Sequence, residues 1–344
     1  MSARTRTQRL RTVGPDMPGL SRVLLVAVVV LVCAIALIAR LAPYLYPEYE
    51  YRVHGKEPPV MPKPAGPVTG RWFDDYYLVE QIDPTTFAVG EPRYYQANYS
   101  YLILGEQRAV LFDAGTGTRD IVPVVRSLTT LPVTVIPSHL HFDHVGALGR
   151  LDRTALLDVP MLRARVHDSR LTLERYEFMG FLENLKEPTF RVDEWWAPDS
   201  SIELGRRSIR VLWTPGHTPT SVSLYDARRH QVFVGDFLYP GHLYAFLPGA
   251  SRSAYLSTST RLLATIDPAS RIYTAHMAGP PAPVKAPVLQ LADLAALEKT
   301  LSGLRDGSLE TIPAGSLDTV ASYPRVFPVR GTLTFATGYP WNDR

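Results

Sequence analysis

A cluster of metal-binding residue types follows directly after a short apolar run, and it restricts the possible folds of the chain more than any other feature. Residues 139–144 read His-Leu-His-Phe-Asp-His, which places three imidazoles and a carboxylate within six residues. They follow Val133–Ile136, which we predict as a buried strand, so the cluster lies on a loop at a strand end, where functional sites are usually built. Polar groups at this density cannot all be packed into an apolar core. The fold must therefore assemble a site around this loop.

The spacing within the cluster predicts more than one metal ion. Successive residues of an extended segment point in opposite directions, so His139 and His141, which are two residues apart, can reach one ion. Asp143 and His144, further along the loop, can reach a second. A zinc ion takes about four ligands, and a catalytic zinc keeps one position open. Further ligands are therefore expected downstream, and the candidates, each at the end of an apolar run, are His217, Asp236 and His276. The single cysteine, Cys33, excludes a site built from several thiolates.

The order of these ligand types, with Phe112-Asp113-Ala-Gly-Thr-Gly before them, resembles the metallo-β-lactamase-fold hydrolase superfamily over about residues 85–280. The resemblance implies an α+β fold, the four-layer αββα sandwich, with two metal ions at one edge of the sheets. It implies a role for each residue of the motif: His139, His141 and His217 on the first zinc, Asp143, His144 and His276 on the second, and Asp236 bridging both. Asp113 would brace the histidine loop without binding a metal ion.

Details of the motif indicate a branch of that superfamily. A bridging Asp236, and a single cysteine placed outside the matching region, disfavour a true β-lactamase. The phrases around His139–His144 and Asp236-Phe-Leu-Tyr239 resemble the glyoxalase II-like and N-acyl-homoserine-lactonase-like branches. In those lactonases the tyrosine lies beside the substrate carbonyl, which implies Tyr239 as a hydrogen-bond donor to the developing oxyanion. Asp143 and Asp236 are the candidates to carry a proton to the leaving group.

The predicted function is therefore a di-zinc hydrolase that cleaves a carboxylic ester, lactone or thioester of a small-molecule acyl substrate by metal-bound hydroxide, with iron and manganese left open as the metal. A mono-iron persulfide-dioxygenase-like oxidoreductase and a phosphodiesterase remain alternatives, because similar ligands serve both. Nucleic acid is not an expected partner, since the net charge of +3 comes from arginines near the N-terminus and the remainder is slightly acidic.

The N-terminal region predicts a membrane anchor. Val23–Ala39 contains 17 residues without a charge, which favours a membrane-spanning helix over residues 23–41. A basic tail at 1–22 would stay in the cytoplasm, and a stiff, extended, proline-rich linker at 42–70 would lead to a metallo-hydrolase domain at 71–344 outside the cytoplasmic membrane. A cleaved signal peptide is the alternative.

Periodicity predicts the remaining elements. Residues 161–187 have the pattern of an amphipathic helix, further helices are expected over Ala254–Ile266 and Val288–Leu304, and Val326–Phe335 predicts a closing pair of strands. No motif in residues 285–344 indicates a role for the C-terminal part.

Overall fold

A computed structural model describes residues 19–54, 60–277, 283–309, 325–330 and 333–337. The chain divides into two units, Met1–Ala42 and Pro43–Arg344. Strands make up much of the second unit. In chain order the strands are β1 (Arg71–Trp72), β2 (Leu78–Asp83), β3 (Thr86–Gly90), β4 (Tyr99–Leu104), β5 (Ala109–Phe112), β6 (Val133–Ile136), β7 (Arg153–Leu157), β8 (Arg170–Thr172), β9 (Thr189–Arg191), β10 (Glu194–Trp196), β11 (Ser201–Glu203), β12 (Ser208–Trp213), β13 (Val222–Asp226), β14 (Gln231–Phe233), β15 (His242–Ala245), β16 (Arg271–Tyr273), β17 (Val288–Gln290), β18 (Arg325–Arg330) and β19 (Leu333–Thr337).

The helices differ widely in length. They are α1 (Gly19–His54), α2 (Val122–Leu128), α3 (Pro160–Arg163), α4 (Arg175–Phe178), α5 (Arg252–Thr265) and α6 (Leu291–Asp306). Local chemistry fixes the ends of the two long helices of the second unit. The Ser251 side chain accepts a hydrogen bond from the Ala254 amide at the start of α5, and α6 begins at a capping box between Gln290 and Asp293 and ends before Gly307 at a φ of +75°.

Two large sheets organise the second unit. The first has the strand order β1-β2-β3-β4-β5-β6-β7-β10, and the second has the order β11-β12-β13-β14-β16-β17. Neighbours from β1 to β5 run antiparallel, whereas β5, β6, β7 and β10 run parallel. Two small sheets have the orders β15-β19-β18 and β8-β9. The expected α+β class is confirmed.

Side-chain alternation along the second sheet separates two apolar cores. Val211, Leu224 and Phe233 belong to the core that also contains β4, β5 and β6 of the first sheet. Their chain neighbours Leu212, Tyr225 and Val232 belong to a second core, which they share with helices α5 and α6. Because successive side chains of a strand point to opposite faces, the second sheet lies between the first sheet and this helix pair.

The membrane anchor predicted over residues 23–41 is wrong. Among the described residues, no helix has an apolar stretch of sufficient length to cross a membrane. The apolar run Val23–Ala39 has 17 residues, or about 26 Å of helix, against a hydrocarbon core of about 30 Å. The predicted single-pass location in the cytoplasmic membrane, with the catalytic domain outside, is corrected with it. The basic tail predicted at 1–22 lies outside the described residues up to residue 18.

The extended linker predicted over 42–70 is also wrong as far as His54, because α1 continues through Pro43 and Pro47. Proline removes one helical hydrogen bond and costs about 3 kcal/mol inside a helix, but its φ is helical, so a helix can continue through it at that cost. The part of the linker at 55–59 lies outside the described residues.

The amphipathic helix predicted over 161–187 is replaced by α3, β8, α4 and a 3-10 turn at Gly180–Glu183. Asp168 and Ser169 have φ values of +50° and +59° and form a tight turn between His167 and Arg170. A right-handed helix cannot contain this turn. The closing strand pair near the C-terminus is confirmed as β18 and β19, which run antiparallel.

Candidate metal centre

The histidine loop follows the end of β6, and its apolar side chains and its histidines face in opposite directions. Leu140 and Phe142 are buried in the first apolar core, so the alternating His139 and His141 face away from that core. The loop then tightens into a 3-10 turn, in which the His144 amide donates to the carbonyl of His141 at 3.1 Å. This turn brings His144 back beside the first two imidazoles.

The three downstream candidates reach the same place because each follows a strand of the second sheet. His217 follows β12, Asp236 follows β14 and His276 follows β16. Strands β14 and β16 are parallel neighbours, so the residues that follow them lie at the same edge of the sheet. All seven predicted ligands are thereby brought together in the described structure.

One group of ligand atoms is formed by three imidazoles. His139 Nε2 lies 2.8 Å from His141 Nδ1, and His217 Nε2 lies 3.1 Å from the same atom. All three side chains are buried. Three ring nitrogens that converge on one point are suited to a single transition-metal ion.

A second group combines imidazoles with a carboxylate. Asp143 Oδ2 lies 3.4 Å from His144 Nε2 and 3.5 Å from His276 Nε2. Asp236 Oδ1 lies 3.3 Å from His144 Nε2 and 3.0 Å from His276 Nε2. Its other oxygen, Oδ2, lies 3.2 Å from Nε2 of His276 and 3.7 Å from Nε2 of His217. The Asp236 carboxylate is thus the group that lies between both sets of ligand atoms.

Asp113 fixes the orientation of the histidine loop. Its Oδ1 accepts a hydrogen bond from the Ser138 amide at 2.6 Å, and its Oδ2 lies 3.0 Å from His144 Nδ1. Asp113 has a φ of +66°, a conformation that aspartate and asparagine tolerate better than most residues. Because Asp113 holds Nδ1, it leaves Nε2 of His144 to face the other ligands.

Partners that the motif did not identify orient other ligands. His139 Nδ1 lies 3.0 Å from Ser138 Oγ. His276 Nδ1 donates to the carbonyl of Gln96 and His217 Nδ1 donates to the carbonyl of Tyr244, both at 3.1 Å. These two partners are backbone atoms, so no residue type could have signalled them.

Asn98 holds the carboxylate of the second group. Its amide Nδ2 donates to Asp143 Oδ2 at 2.9 Å, and its backbone forms a bridge with His276. A polar residue directly before the apolar strand Tyr99–Leu104 was the signal in the sequence that could have identified Asn98.

The electrostatics of the cluster favour a cation. Burial lowers the pKa of His139, and the neighbouring His144 lowers it further. Burial, reinforced by His217, lowers the pKa of His141 to about 3. Burial disfavours the charged form of His144, but the surrounding carboxylates outweigh it and raise that pKa. Burial would also raise the pKa of Asp236, yet the adjacent imidazoles hold that pKa well below its usual range.

The residues present fit a divalent metal ion. In the described part of the chain, His141 Nε2 is buried without a hydrogen-bond partner, and His144 Nε2 and Asp236 Oδ1 have imidazole or carboxylate neighbours at 3.0–3.4 Å but no aligned hydrogen bond. An unsatisfied buried polar atom costs about 1–3 kcal/mol, and a cation between these atoms would remove that cost. Imidazole and carboxylate ligands suit zinc, iron and manganese.

Tyr239 lies beside this cluster, but its hydroxyl is engaged. Its ring centre is 5.1 Å from that of His276, and it is buried. The hydroxyl donates to the carbonyl of His242 at 2.7 Å, which uses its one proton. Its role as an oxyanion donor stays a prediction.

Several known proteins are similar to this chain. The chain is 26% identical over 223 residues to a protein named acyl-coenzyme A thioesterase MBLAC2 from Gallus gallus, which covers 56% of this chain and 77% of that protein. It is 27% identical over 182 residues to a hydroxyacylglutathione hydrolase from Synechococcus, covering 52% of this chain and 63% of that protein. A solved metallo-beta-lactamase from Pontibacter korlensis aligns with a TM-score of 0.48 at 18% identity, covering 66% of this chain and 99% of that chain.

A model of the metallo-beta-lactamase superfamily matches residues 94–276. The matched range begins in the loop before β4 and ends at the last candidate ligand, His276, so it contains all seven residues that converge at the sheet edge. The chain belongs to the metallo-beta-lactamase superfamily.

Proposed function

We propose that this protein is a metal-dependent hydrolase that cleaves the thioester or ester bond of a small acyl substrate. The observation that carries the proposal is the position of Asp236, whose two carboxylate oxygens lie 3.0 Å from His276 Nε2 and 3.7 Å from His217 Nε2. A carboxylate shared between two groups of ligands is suited to a pair of neighbouring cations. Two relatives support the substrate class, since their names specify an acyl-CoA thioesterase and a hydroxyacylglutathione hydrolase.

The proposed ligands are those of the two groups. His139, His141 and His217 would hold one ion, Asp143, His144 and His276 the other, and Asp236 both, with two Zn²⁺ as the proposed pair. A divalent cation bound there supplies Lewis-acid polarisation of an acyl carbonyl and lowers the pKa of a water molecule.

The chain's own residues would handle the protons. Asp143 is held by Asn98 through a hydrogen bond of 2.9 Å, so its carboxylate is fixed in place. We propose that Asp143 or Asp236 accepts the proton of the attacking water and returns it to the leaving group. Tyr239 would stabilise the oxygen of the attacked carbonyl only after its hydroxyl leaves the carbonyl of His242.

Two structural expectations belong to the same proposal. We place the metallo-hydrolase domain at residues 71–344, and we propose the layer order αββα for it. The two apolar cores support that order, because the second sheet has the first sheet on one face and α5 and α6 on the other. Helix α2 would belong to the remaining layer, because its Val124 and Val125 side chains are buried in the first core.

A substrate panel on the purified full-length chain tests the function. Acyl-CoA and acyl-glutathione thioesters, lactones, aryl esters and a phosphodiester would be compared after reconstitution with Zn²⁺. We expect kcat/KM to be highest for a thioester or ester. Turnover of the phosphodiester alone would refute the proposal and indicate a phosphodiesterase. A single bound iron, with oxygen consumed when a persulfide is added, would refute it and indicate an oxidoreductase.

Asp236→Asn is the matched test of the shared carboxylate. We expect it to keep the fold, by circular dichroism, and to lower kcat by several orders of magnitude. Asp199→Asn is the control, because Asp199 is an exposed aspartate paired with Arg210 at 3.0 Å. Near-normal turnover in Asp236→Asn would contradict the two-ion arrangement.

A further inference from the structure

Strand β19, near the C-terminus, pairs with β15, which lies in the chain between the proposed metal ligands Asp236 and His276. Strand β19 runs parallel to β15, with Thr334 opposite His242, Phe335 opposite Leu243 and Ala336 opposite Tyr244. Strand β15 begins six residues after Asp236. Residues close to the C-terminus therefore determine where this segment lies.

The first connection to the metal centre runs through the backbone of β15. The carbonyl of Tyr244, whose strand neighbour is Ala336, accepts the hydrogen bond from His217 Nδ1 at 3.1 Å. Backbone pairing fixes the direction of a strand's carbonyl groups. A shift of β15 would thus rotate the acceptor that orients the His217 ring.

A second connection runs through the side chain of Tyr255 on α5. The Phe335 and Tyr255 rings meet edge to face, with centres 5.3 Å apart and an angle of 88°. The Tyr255 hydroxyl donates to the backbone carbonyl of Asp236 at 3.3 Å. Both rings are fully buried, so Phe335 fixes the ring whose hydroxyl holds the Asp236 backbone.

Tyr255 also supports the loop that carries His217. A Cβ atom added at Gly216 would lie only 2.7–2.9 Å from the Tyr255 ring. The backbone directly before His217 therefore rests on this ring at a distance that only glycine permits. Tyr255 thus supports the backbone at two proposed ligands, His217 and Asp236. Phe335 of β19 packs against the Tyr255 ring.

We propose that strand β19 is a positioning element of the metal centre, which acts on His217 and Asp236 through β15 and Tyr255. The inference rests on the proposed metal centre but not on the substrate. It assigns a role to a part of the chain that lies beyond the residues of the superfamily motif, 94–276. The competing explanation is that Phe335 is ordinary core, which contributes only to overall stability.

Phe335→Ala in the full-length chain separates these explanations when it is paired with Leu301→Ala. Leu301 is fully buried in the same apolar core, on α6, so both substitutions leave a cavity in that core. The readout is the affinity for Zn²⁺, measured by competition with a chromogenic chelator on protein whose folding is checked by circular dichroism and thermal melting. The absorption spectrum with Co²⁺ reports the geometry of the ligands.

We expect Phe335→Ala to weaken Zn²⁺ binding at least tenfold, the effect typical of residues that orient metal ligands, and to change the Co²⁺ spectrum. Leu301→Ala should lower the melting temperature but leave both metal readouts unchanged. Phe335→Leu, which restores most of the volume, should recover much of the affinity. Equal Zn²⁺ affinities in the two alanine variants would overturn the proposal.

Two gentler variants keep the proposal falsifiable if Phe335→Ala does not fold. Tyr255→Phe removes only the hydroxyl that holds the Asp236 carbonyl, and Thr334→Val removes the hydroxyl that lies 2.5 Å from His242 Nδ1. We expect each to weaken Zn²⁺ binding several-fold, and wild-type affinity in both would refute the positioning role. A protein that binds Zn²⁺ but cleaves no acyl substrate would refute the proposed function and leave this inference standing.

Discussion

Asp113→Asn replaces one carboxylate oxygen of a buried side chain with an NH₂ group. Asp113 is not itself a proposed metal ligand, but we expect this substitution to weaken metal binding by His144, which Asp113 orients. Asp113 accepts from the Ser138 amide with one oxygen and faces His144 Nδ1 with the other. Asparagine offers one acceptor oxygen and one NH₂ donor. It also tolerates the φ of +66°, so the substitution adds little backbone strain.

The donor pattern of the substituted side chain then forces a choice. If its amide oxygen faces Ser138, its NH₂ group faces Nδ1 of His144. That ring nitrogen must then become an acceptor, which places the proton of a neutral ring on Nε2, the atom that faces Asp143 and Asp236. In the opposite orientation, NH₂ meets the Ser138 amide and one buried donor stays unpaired. Either outcome loses a charge-assisted hydrogen bond worth about 1.5–3 kcal/mol.

A loss of that size corresponds to a weakening of Zn²⁺ binding by about 10-fold to 100-fold. The affinity would be measured by chelator competition, and the number of bound ions by elemental analysis. Asp199→Asn is a matched control, because Asp199 also has a positive φ, +61°, but its side chain is exposed. If Asp113→Asn and Asp199→Asn bound Zn²⁺ with the same affinity as the wild type, the orienting role of Asp113 would be refuted.

Three further predictions concern stability. Burial raises the pKa of Glu91 from 4.5 to about 7, so the folded chain holds this proton more tightly than the unfolded chain. The protonated group therefore contributes about 3 kcal/mol to the free energy of unfolding below pH 4.5, and this contribution is lost as the pH rises to about 7. Glu91→Gln should remove this slope from urea unfolding measured against pH, and parallel curves for variant and wild type would argue against it. Arg207→Met removes the guanidinium that lies 2.8 Å from the buried Asp226 carboxylate and leaves that carboxylate with Arg229 at 3.6 Å. The free energy of unfolding should therefore fall by about 3 kcal/mol with Zn²⁺ affinity unchanged; a loss under about 1 kcal/mol would be inconsistent with the buried pair. Gly235→Ala places a Cβ 2.3 Å from the Ser138 side chain at a φ of +55°, so we expect the free energy of unfolding to fall by about 1–3 kcal/mol and Zn²⁺ binding to weaken. Wild-type values for both would show that the loop can move to accommodate the added methyl group.

The metal ligands could be predicted from the sequence because their chemistry is distinctive and their positions follow strand ends. His217, Asp236 and His276 each follow an apolar run within a few residues, and parallel pairing of β14 and β16 brings the last two to the same edge. The carbonyls of Gln96 and Tyr244 could not be predicted, because every residue has a carbonyl group and only tertiary structure selects one.

Other predictions failed where local pattern and backbone conformation disagree. Apolar spacing over residues 161–187 matches a helix, but the left-handed residues Asp168 and Ser169 turn the chain instead. At the N-terminus, the proline content over 42–70 predicted an extended chain, whereas α1 continues to His54. The contribution of Phe335 depends on contacts with residues far away in the chain, and hydropathy alone identifies it only as apolar.

Titration of the full-length chain with Zn²⁺, combined with elemental analysis, tests most directly whether the seven side chains form a two-ion centre. We predict two tightly bound ions per chain, with one of the two sites lost in His217→Ala and the other in His276→Ala. Binding of no ion, or the same two ions at unchanged affinity in both variants, would contradict the proposed centre.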